Sequence, residues 1–203
     1  MLRRSVLSVA VLLVSFACGS SPTGPSDTPG GTTPPTAGVP GSLTVRITDG
    51  GAYQSARAVL VTFSDVSVLR GNDWTRLQFP DPNAPTWTCD LKKLENGNAD
   101  FLASGKPDQG EYTWARVMVE SATIYPNNSS VSATPCARTI AAPAGDAYSL
   151  TIAQHEGKDN GSIPVTSTEA RTILLDFNSD ASITDLGDKK YSLNPVVRLL
   201  SVQ

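Results

Sequence analysis

The sequence has little of the side-chain chemistry that most catalytic and metal sites use. It contains one histidine, His155, and three cysteines, Cys18, Cys89 and Cys136. His155 lies in the polar run QHEGKDNG, which predicts an exposed turn, and no G-x-S-x-G motif surrounds any serine. Two distant cysteines and one histidine do not make a zinc ligand set. The sequence therefore predicts no catalytic residues, no metal and no cofactor.

An excess of positive charge and a long apolar run are also missing. The 203 residues carry 16 basic and 19 acidic side chains, with no basic stripe, which argues against nucleic acid as a partner. The longest uncharged apolar stretch is SVLSVAVLLVSFA, residues 5–17. It is too short to cross a bilayer, which takes roughly 20 apolar residues.

That apolar stretch follows two arginines at positions 3 and 4, which is the pattern of a secretory signal. We therefore predict a signal peptide over residues 1–17. Ser15 and Ala17 are small enough for an ordinary A-x-A-like cleavage that leaves Cys18 as a free thiol. The alternative is a bacterial lipobox, which Ala17, Cys18 and the following Gly-Ser fit, although Ser15 stands where leucine is usual.

Cysteine parity favours the lipobox. If Cys18 carries a lipid, Cys89 and Cys136 remain, and an exported compartment permits them to pair. Such a bridge closes a loop of about 47 residues and stabilises by about 4 kcal/mol. Two buried free thiols are the alternative. We predict lipid attachment at Cys18, a membrane partner through that lipid, and a place in the bacterial cell envelope, at the outer membrane or cell surface.

The segment after Cys18 differs in composition from the rest of the chain. Residues 19–40 are almost entirely Gly, Pro, Ser and Thr, so they cannot form a core. We interpret residues 18–40 as a lipid-anchored disordered linker. Residues 41–203 are long enough for one domain.

Period-two alternation of apolar and polar residues runs through residues 41–203. GSLTVRITD and AVLVTFSDVSVLR alternate, and the second changes phase near Ser64 and Asp65, which indicates a bulge or a strand that crosses between sheets. Pro195 predicts an edge or a bulge in the last strand. Only residues 98–105 suggest a helical turn. Many short strands with Gly, Pro and Asn turns predict an all-β antiparallel sandwich, with a closed barrel as alternative.

The apolar positions of these strands supply the predicted core. Their members are Leu43, Val45, Ile47, Val59, Val61, Phe63, Val117, Val119, Ile173, Leu175, Phe177, Leu193, Val197 and Leu199.

Two patterns suggest ligand sites. Asp176, Asn178 and Asp180 match the start of a calcium loop, although Ala181 stands where glycine is needed and Gly187 where glutamate is needed. Turn-forming Asp and Asn explain the same stretch without a metal. Separately, aromatic side chains on strands form either a sugar-binding face or part of the core. The tryptophans that decide between these are Trp74, Trp87 and Trp114.

The order of these motifs resembles the bacterial family called domain of unknown function 4382. The resemblance is carried by GSLTVRITD, VLVTFSDVSVLR before Trp74, CDLKKLENG, GEYTWARVMVESA, RTILLDFNSDASI and YSLNPVVRLLSV, over residues 41–202. It implies an exported protein, often a lipoprotein, with an Ig-like or transthyretin-like sandwich. It supplies no active residues to carry over, and it says nothing about a disulfide, because the loops near Cys89 and Cys136 depart from the family pattern.

Together these observations predict a lipid-anchored envelope module that acts as a binding or structural protein. Polysaccharide and envelope protein are the partners it leaves open. A carbohydrate-binding module is the first alternative, and exposed tryptophans on one sheet would favour it. An envelope enzyme is the second, and it would need acids such as Asp49, Asp65 and Asp176 to converge in a cleft.

Overall fold

Alternating apolar residues build a fold whose regular secondary structure is almost entirely β-strand. The structure is a computed structural model that describes residues 41–203. The predicted signal peptide, the linker and Cys18 lie outside the described residues. The strands are β1 Ser42–Thr48, β2 Ala58–Arg70, β3 Asp73–Arg76, β4 Trp87–Asp90, β5 Ala99–Gly105, β6 Gly110–Tyr125, β7 Cys136–Ala137, β8 Tyr148–Ile152, β9 Glu156–Val165, β10 Ala170–Phe177, β11 Ile183–Asp185, β12 Tyr191–Leu193 and β13 Val197–Val202.

Two short helical pieces interrupt the strands. A 3-10 turn, Leu91–Lys93, follows β4, and one α-helical turn, α1, Ser179–Ser182, follows β10. Asp90 caps the first by accepting from the Lys92 N–H, and Asn178 caps the second by accepting from the Ala181 N–H. Among the described residues, no helix has the length and apolarity that crossing a membrane requires.

The strands form two sheets. The narrow sheet has the order β13-β10-β1-β5. The wide sheet has the order β11-β12-β8-β6-β2-β4-β7, with β3 also beside β2 and β9 also beside β6. The long strands β2 and β6 pair along most of their length and form the centre of the wide sheet.

The predicted antiparallel pairing holds for most strand pairs but not for all, so the sheets are mixed. Strand β1 pairs with β10 in parallel, with Thr48 opposite Asp176, and β12 pairs with β8 in parallel. Side-chain alternation is the same in parallel and antiparallel strands, so the sequence pattern could not distinguish them. The parallel pair matters because it brings the ends of β1 and β10 to the same edge of the narrow sheet.

The two sheets share one core. Of the predicted core positions all are buried except Leu199, which is half-buried and packs against the others. Phe63 of the wide sheet meets Phe177 of the narrow sheet edge to face, with ring centroids 5.8 Å apart. Each large apolar side chain buried in this way contributes about 1.5–3 kcal/mol.

At two places, an aspartate of one sheet accepts a hydrogen bond from a backbone N–H of the other sheet. Asp159 of β9 accepts a hydrogen bond from the Leu199 N–H of β13 at 2.8 Å. Asp100 of β5 accepts one from the Cys136 N–H of β7 at 2.9 Å. At the first place, a Cβ on Gly157 would lie 2.6 Å from a methyl carbon of Val197, so only glycine allows β9 to approach β13 so closely.

Local irregularities fall partly where the sequence predicts them. The register between β2 and β6 shifts on both sides of Phe63, which confirms the predicted bulge next to Ser64 and Asp65. Pro195 lies between β12 and β13, where the chain passes from the wide sheet to the narrow one. The helical turn predicted at residues 98–105 is wrong, because this segment is strand β5 and pairs with β1.

Candidate functional site

Two of the three tryptophans lie on the outer face of the wide sheet. Trp74 of β3 and Trp114 of β6 both pair with Leu69 of β2, so two strand spacings, about 10 Å, separate them. Both are half-buried. Trp87 instead points inward, is 9% exposed, and stacks on Phe79 with centroids 6.3 Å apart. Trp87 is therefore a core residue, whereas Trp74 and Trp114 are partly exposed to solvent.

A row of alternating charges runs beside these tryptophans across four strands. Arg76 Nε lies 3.2 Å from Asp65 Oδ2, and Asp65 Oδ1 lies 3.7 Å from Arg116 Nε. Arg116 Nη1 lies 3.6 Å from Glu156 Oε1, and Glu156 Oε2 lies 2.8 Å from Lys158 Nζ. Partly exposed pairs of this kind contribute about 0–1 kcal/mol each. These ion pairs therefore fix the positions of the charged side chains on this face but add little to the stability of the fold.

The same cations lie over the tryptophan rings. The Arg116 guanidinium is 4.1 Å from the centroid of Trp74, and Lys158 Nζ is 5.7 Å from that of Trp114. Each ring therefore has a hydrogen-bond donor beside its apolar surface. An aromatic ring next to such a donor is chemically suited to ligands that present both hydroxyl groups and C–H faces.

Two buried acids meet where the parallel strands β1 and β10 end. Asp49 Oδ1 accepts from the Gly51 N–H at 2.9 Å and the Ser179 N–H at 3.0 Å, and its Oδ2 accepts from Ser179 Oγ at 2.6 Å. Asp176 Oδ1 accepts from the Gly50 N–H at 2.6 Å. Asp49 is 1% exposed and Asp176 is 5% exposed. These acids fasten the loop after β1 to the loop after β10.

Gly51 makes this arrangement sterically feasible. A Cβ on Gly51 would lie 2.1 Å from Asn178 Oδ1 and 2.9 Å from the Asp180 nitrogen. Both neighbours are fixed, because Asn178 caps helix α1. Any larger side chain at position 51 would separate the two loops.

The three calcium-loop residues are turned toward different partners. Asp176 binds the Gly50 N–H, Asn178 binds the Ala181 N–H at 2.8 Å, and the Asp180 side chain is exposed. Within residues 41–203, no group of three or more His, Cys, Asp or Glu residues is placed to hold a metal ion. Of the three acids considered for a cleft, Asp49 and Asp176 come together, but Asp65 lies on the outer face of the wide sheet.

Burial raises the pKa of Asp176 above its ordinary value of 3.8. The hydrogen bond from the Gly50 N–H opposes burial and lowers this pKa, while Asp49 raises it and Arg198 lowers it by still smaller amounts. The folded state therefore holds this proton more tightly than the unfolded chain. It follows that the contribution of Asp176 to stability is most favourable below pH 3.8 and falls as the pH rises through the raised pKa.

We expect Asp176→Asn to gain stability relative to the wild type as the pH rises from about 3.5 to 7. The asparagine oxygen can still accept from Gly50, whereas the cost of ionising a buried carboxyl is removed. Melting temperatures of the two proteins measured across this range test the expectation. The exposed Asp180→Asn is the matched control and should follow the wild type. A wild-type advantage that grows with pH would contradict the assignment.

Two of the cysteines and the histidine occupy structural positions in the described part of the chain. Cys89 of β4 and Cys136 of β7 lie opposite each other and form a disulfide, as parity predicts. His155 is exposed, and its Nδ1 donates to the Val119 carbonyl at 2.6 Å. The imidazole makes no other hydrogen bond to residues 41–203.

Five polar side chains that form a groove escaped the sequence analysis. Ser42, Thr44, Gln78, Ser104 and Lys106 line, with Arg76, a depression of about 520 Å³ where β1, β5 and the segment after β3 meet. The alternation of polar and apolar residues in β1 predicts that Ser42 and Thr44 face outward, so the sequence does identify these two as exposed. Ser42 and Thr44 lie near Gln78 and Lys106 because Gln78 pairs with Ser104. No pattern in the neighbouring sequence predicts that pairing.

Comparison with known families gives one match. Residues 40–195, which are 156 of the 203 residues, match the family model described as "Domain of unknown function (DUF4382)". No curated protein and no solved structure matches the chain.

Proposed function

This chain belongs to the DUF4382 family, and we propose that it is a lipid-anchored module of the bacterial cell envelope, with an Ig-like or transthyretin-like β-sandwich as its folded part. It acts there as a binding or structural protein. It carries out no catalysis there and holds no cofactor. The oxygens of Asp49 and Asp176 accept hydrogen bonds from backbone N–H groups and from Ser179, which supports a structural role for both acids.

The disulfide is the observation that carries this proposal. Cys89 and Cys136 are bonded to each other, which suits an oxidising compartment outside the cytoplasm. They account for two of the three cysteines, so Cys18 is the remaining one. Its position after the uncharged run 5–17 supports lipid attachment there, with residues 18–40 as the tether.

Replacing Cys18 by alanine tests the anchor. We expect a clickable fatty acid fed to expressing cells to label the wild-type chain and to leave Cys18→Ala unlabelled. The wild type should fractionate with membranes and the variant should not. Equal labelling of both proteins would reject the lipid anchor while leaving the folded domain unaffected.

The outer face of the wide sheet favours carbohydrate binding as a second candidate function. The backbones of Trp74 and Trp114 lie about 10 Å apart on the same face of the wide sheet, and each ring has a cation over it. Aromatic faces pack on the C–H side of sugar rings, while Arg116 and Lys158 can donate to hydroxyl groups. The candidate ligand is a polysaccharide of the envelope or its surroundings.

A further inference from the structure

The depression of about 520 Å³, called here the hydroxyl groove, has unused hydrogen-bonding capacity. Gln78 and Ser104 bond each other only through their backbones, at 2.8 Å in both directions. Within residues 41–203, the side chains of Gln78, Ser104, Ser42 and Thr44 form no hydrogen bond. Three hydroxyls and one amide therefore converge with no hydrogen-bond partner for their side chains among residues 41–203. A sugar, with a hydroxyl donor and acceptor on most of its ring carbons, matches such a lining.

The charge of the groove has one sign. Its charged side chains are Arg76 and Lys106, both cationic. Arg76 shares Asp65 with Arg116, whereas Lys106 forms no ion pair among the described residues. Residues 41–203 as a whole are acidic, because removing Arg3, Arg4 and Asp27 from the chain totals of 16 and 19 leaves 14 basic and 18 acidic side chains. A cationic groove on an acidic domain is complementary to a carboxylate.

The groove continues into the tryptophan face. Trp74, Arg76 and Gln78 alternate with buried Leu77 and therefore share the outward side of one extended segment. This segment begins as β3 in the wide sheet and reaches β5 of the narrow sheet through Gln78. A chain-like ligand lying along it would meet a tryptophan ring first, a guanidinium next and the hydroxyl groove last.

A second depression extends the same surface. It has a volume of about 420 Å³ and shares Arg76 and Gln78 with the hydroxyl groove. The amide of Asn83 and the rings of Pro82 and Pro85 add polar and apolar lining. Its composition suits sugar rings but offers no further charge.

From this geometry we propose that the hydroxyl groove binds an acidic saccharide, with a uronate carboxylate at Lys106 and Arg76 and ring hydroxyls at Ser42, Thr44, Gln78 and Ser104. The inference rests on the carbohydrate-binding candidate and deepens it, because it assigns the ligand a carboxylate. Trp74 supplies the stacking surface for the neighbouring sugar.

Calorimetric titration of the full chain in detergent tests the proposal. The probes are short oligogalacturonate and the same oligomer with its carboxylates methyl-esterified, which keeps the sugar rings and removes the charge. We expect Lys106→Gln to weaken binding of the acidic probe about fivefold or more and to leave the ester unchanged. Lys190→Gln, which makes the same charge change at another exposed lysine, should stay within about twofold of wild type.

The remaining outcomes each overturn the proposal in a distinguishable way. Equal losses of affinity for the acidic probe in Lys106→Gln and Lys190→Gln would show that the probe responds to the overall charge of the domain and not to a specific site. Inorganic sulfate competing as well as the acidic oligomer would show a simple anion site. Loss of both probes in Trp74→Ala with no effect of Lys106→Gln would reject the uronate site and retain sugar binding. Failure of both probes with the wild type would reject sugar binding as well, and the lipid anchor would stand on its own test.

Discussion

Opening the Cys89–Cys136 disulfide is expected to lower the melting temperature of the full chain by roughly 8–16 °C. The bridge joins residues separated by 47 positions, and it limits the freedom of the unfolded chain by an amount worth about 4 kcal/mol. In a domain of this size, 1 kcal/mol corresponds to about 2–4 °C. The bridge also fixes β7 to β4, while Asp100 fixes the same short strand to the narrow sheet.

Thermal unfolding with and without reductant measures this effect. Mass tagging of thiols should establish that reduction is complete before the melt. The Cys89→Ala/Cys136→Ala double variant is the control, because its melting temperature should not respond to reductant. A fully reduced wild type that melts within about 2 °C of the oxidised protein would show that the disulfide does not stabilise the domain.

The second large effect is expected from Asp49→Ala, which should lower the free energy of unfolding by about 2–6 kcal/mol. Ser179 is completely buried, and Asp49 accepts both its N–H and its hydroxyl. Alanine leaves both donors without a partner, at about 1–3 kcal/mol each. The Gly51 N–H also loses its acceptor, but Gly51 is only half-buried, so water can replace the lost bond.

Urea unfolding at neutral pH measures this loss, with the slope against denaturant expected to stay constant. Asp180→Ala is the matched control, since it removes an exposed carboxylate one residue after Ser179 and should change stability by no more than about 0.5 kcal/mol. Similar small changes in both variants would mean that Asp49 does not hold the loops together.

Much of the fold follows from local sequence. Alternation alone identifies β1 and β2, and the change of phase at Ser64–Asp65 locates the bulge opposite β6. The same alternation, counted back from buried Val117, places Trp114 on the outer face. Parity of the cysteines leads to the Cys89–Cys136 bridge. Each of these features depends on residues close in the chain or on a simple count.

Other features depend on which strands become neighbours. The pairing of β1 with β10 joins residues far apart in the sequence, and it alone brings Asp49 to Asp176. Residues 98–105 are too few, and their apolar and polar residues too irregularly ordered, to distinguish a helical from a strand repeat. Pairing with β1 makes this segment a strand. The hydroxyl groove is likewise assembled from three separate segments.

Counting free thiols in the intact protein tests whether the chain is a lipid-anchored and disulfide-closed module outside the cytoplasm. The wild-type protein is isolated from the membrane fraction, unfolded without reductant, and treated with a thiol-reactive mass tag. We expect no tag, because Cys18 is bonded to lipid and Cys89 is bonded to Cys136. One tag would contradict the lipid at Cys18, two would contradict the disulfide, and three would contradict both.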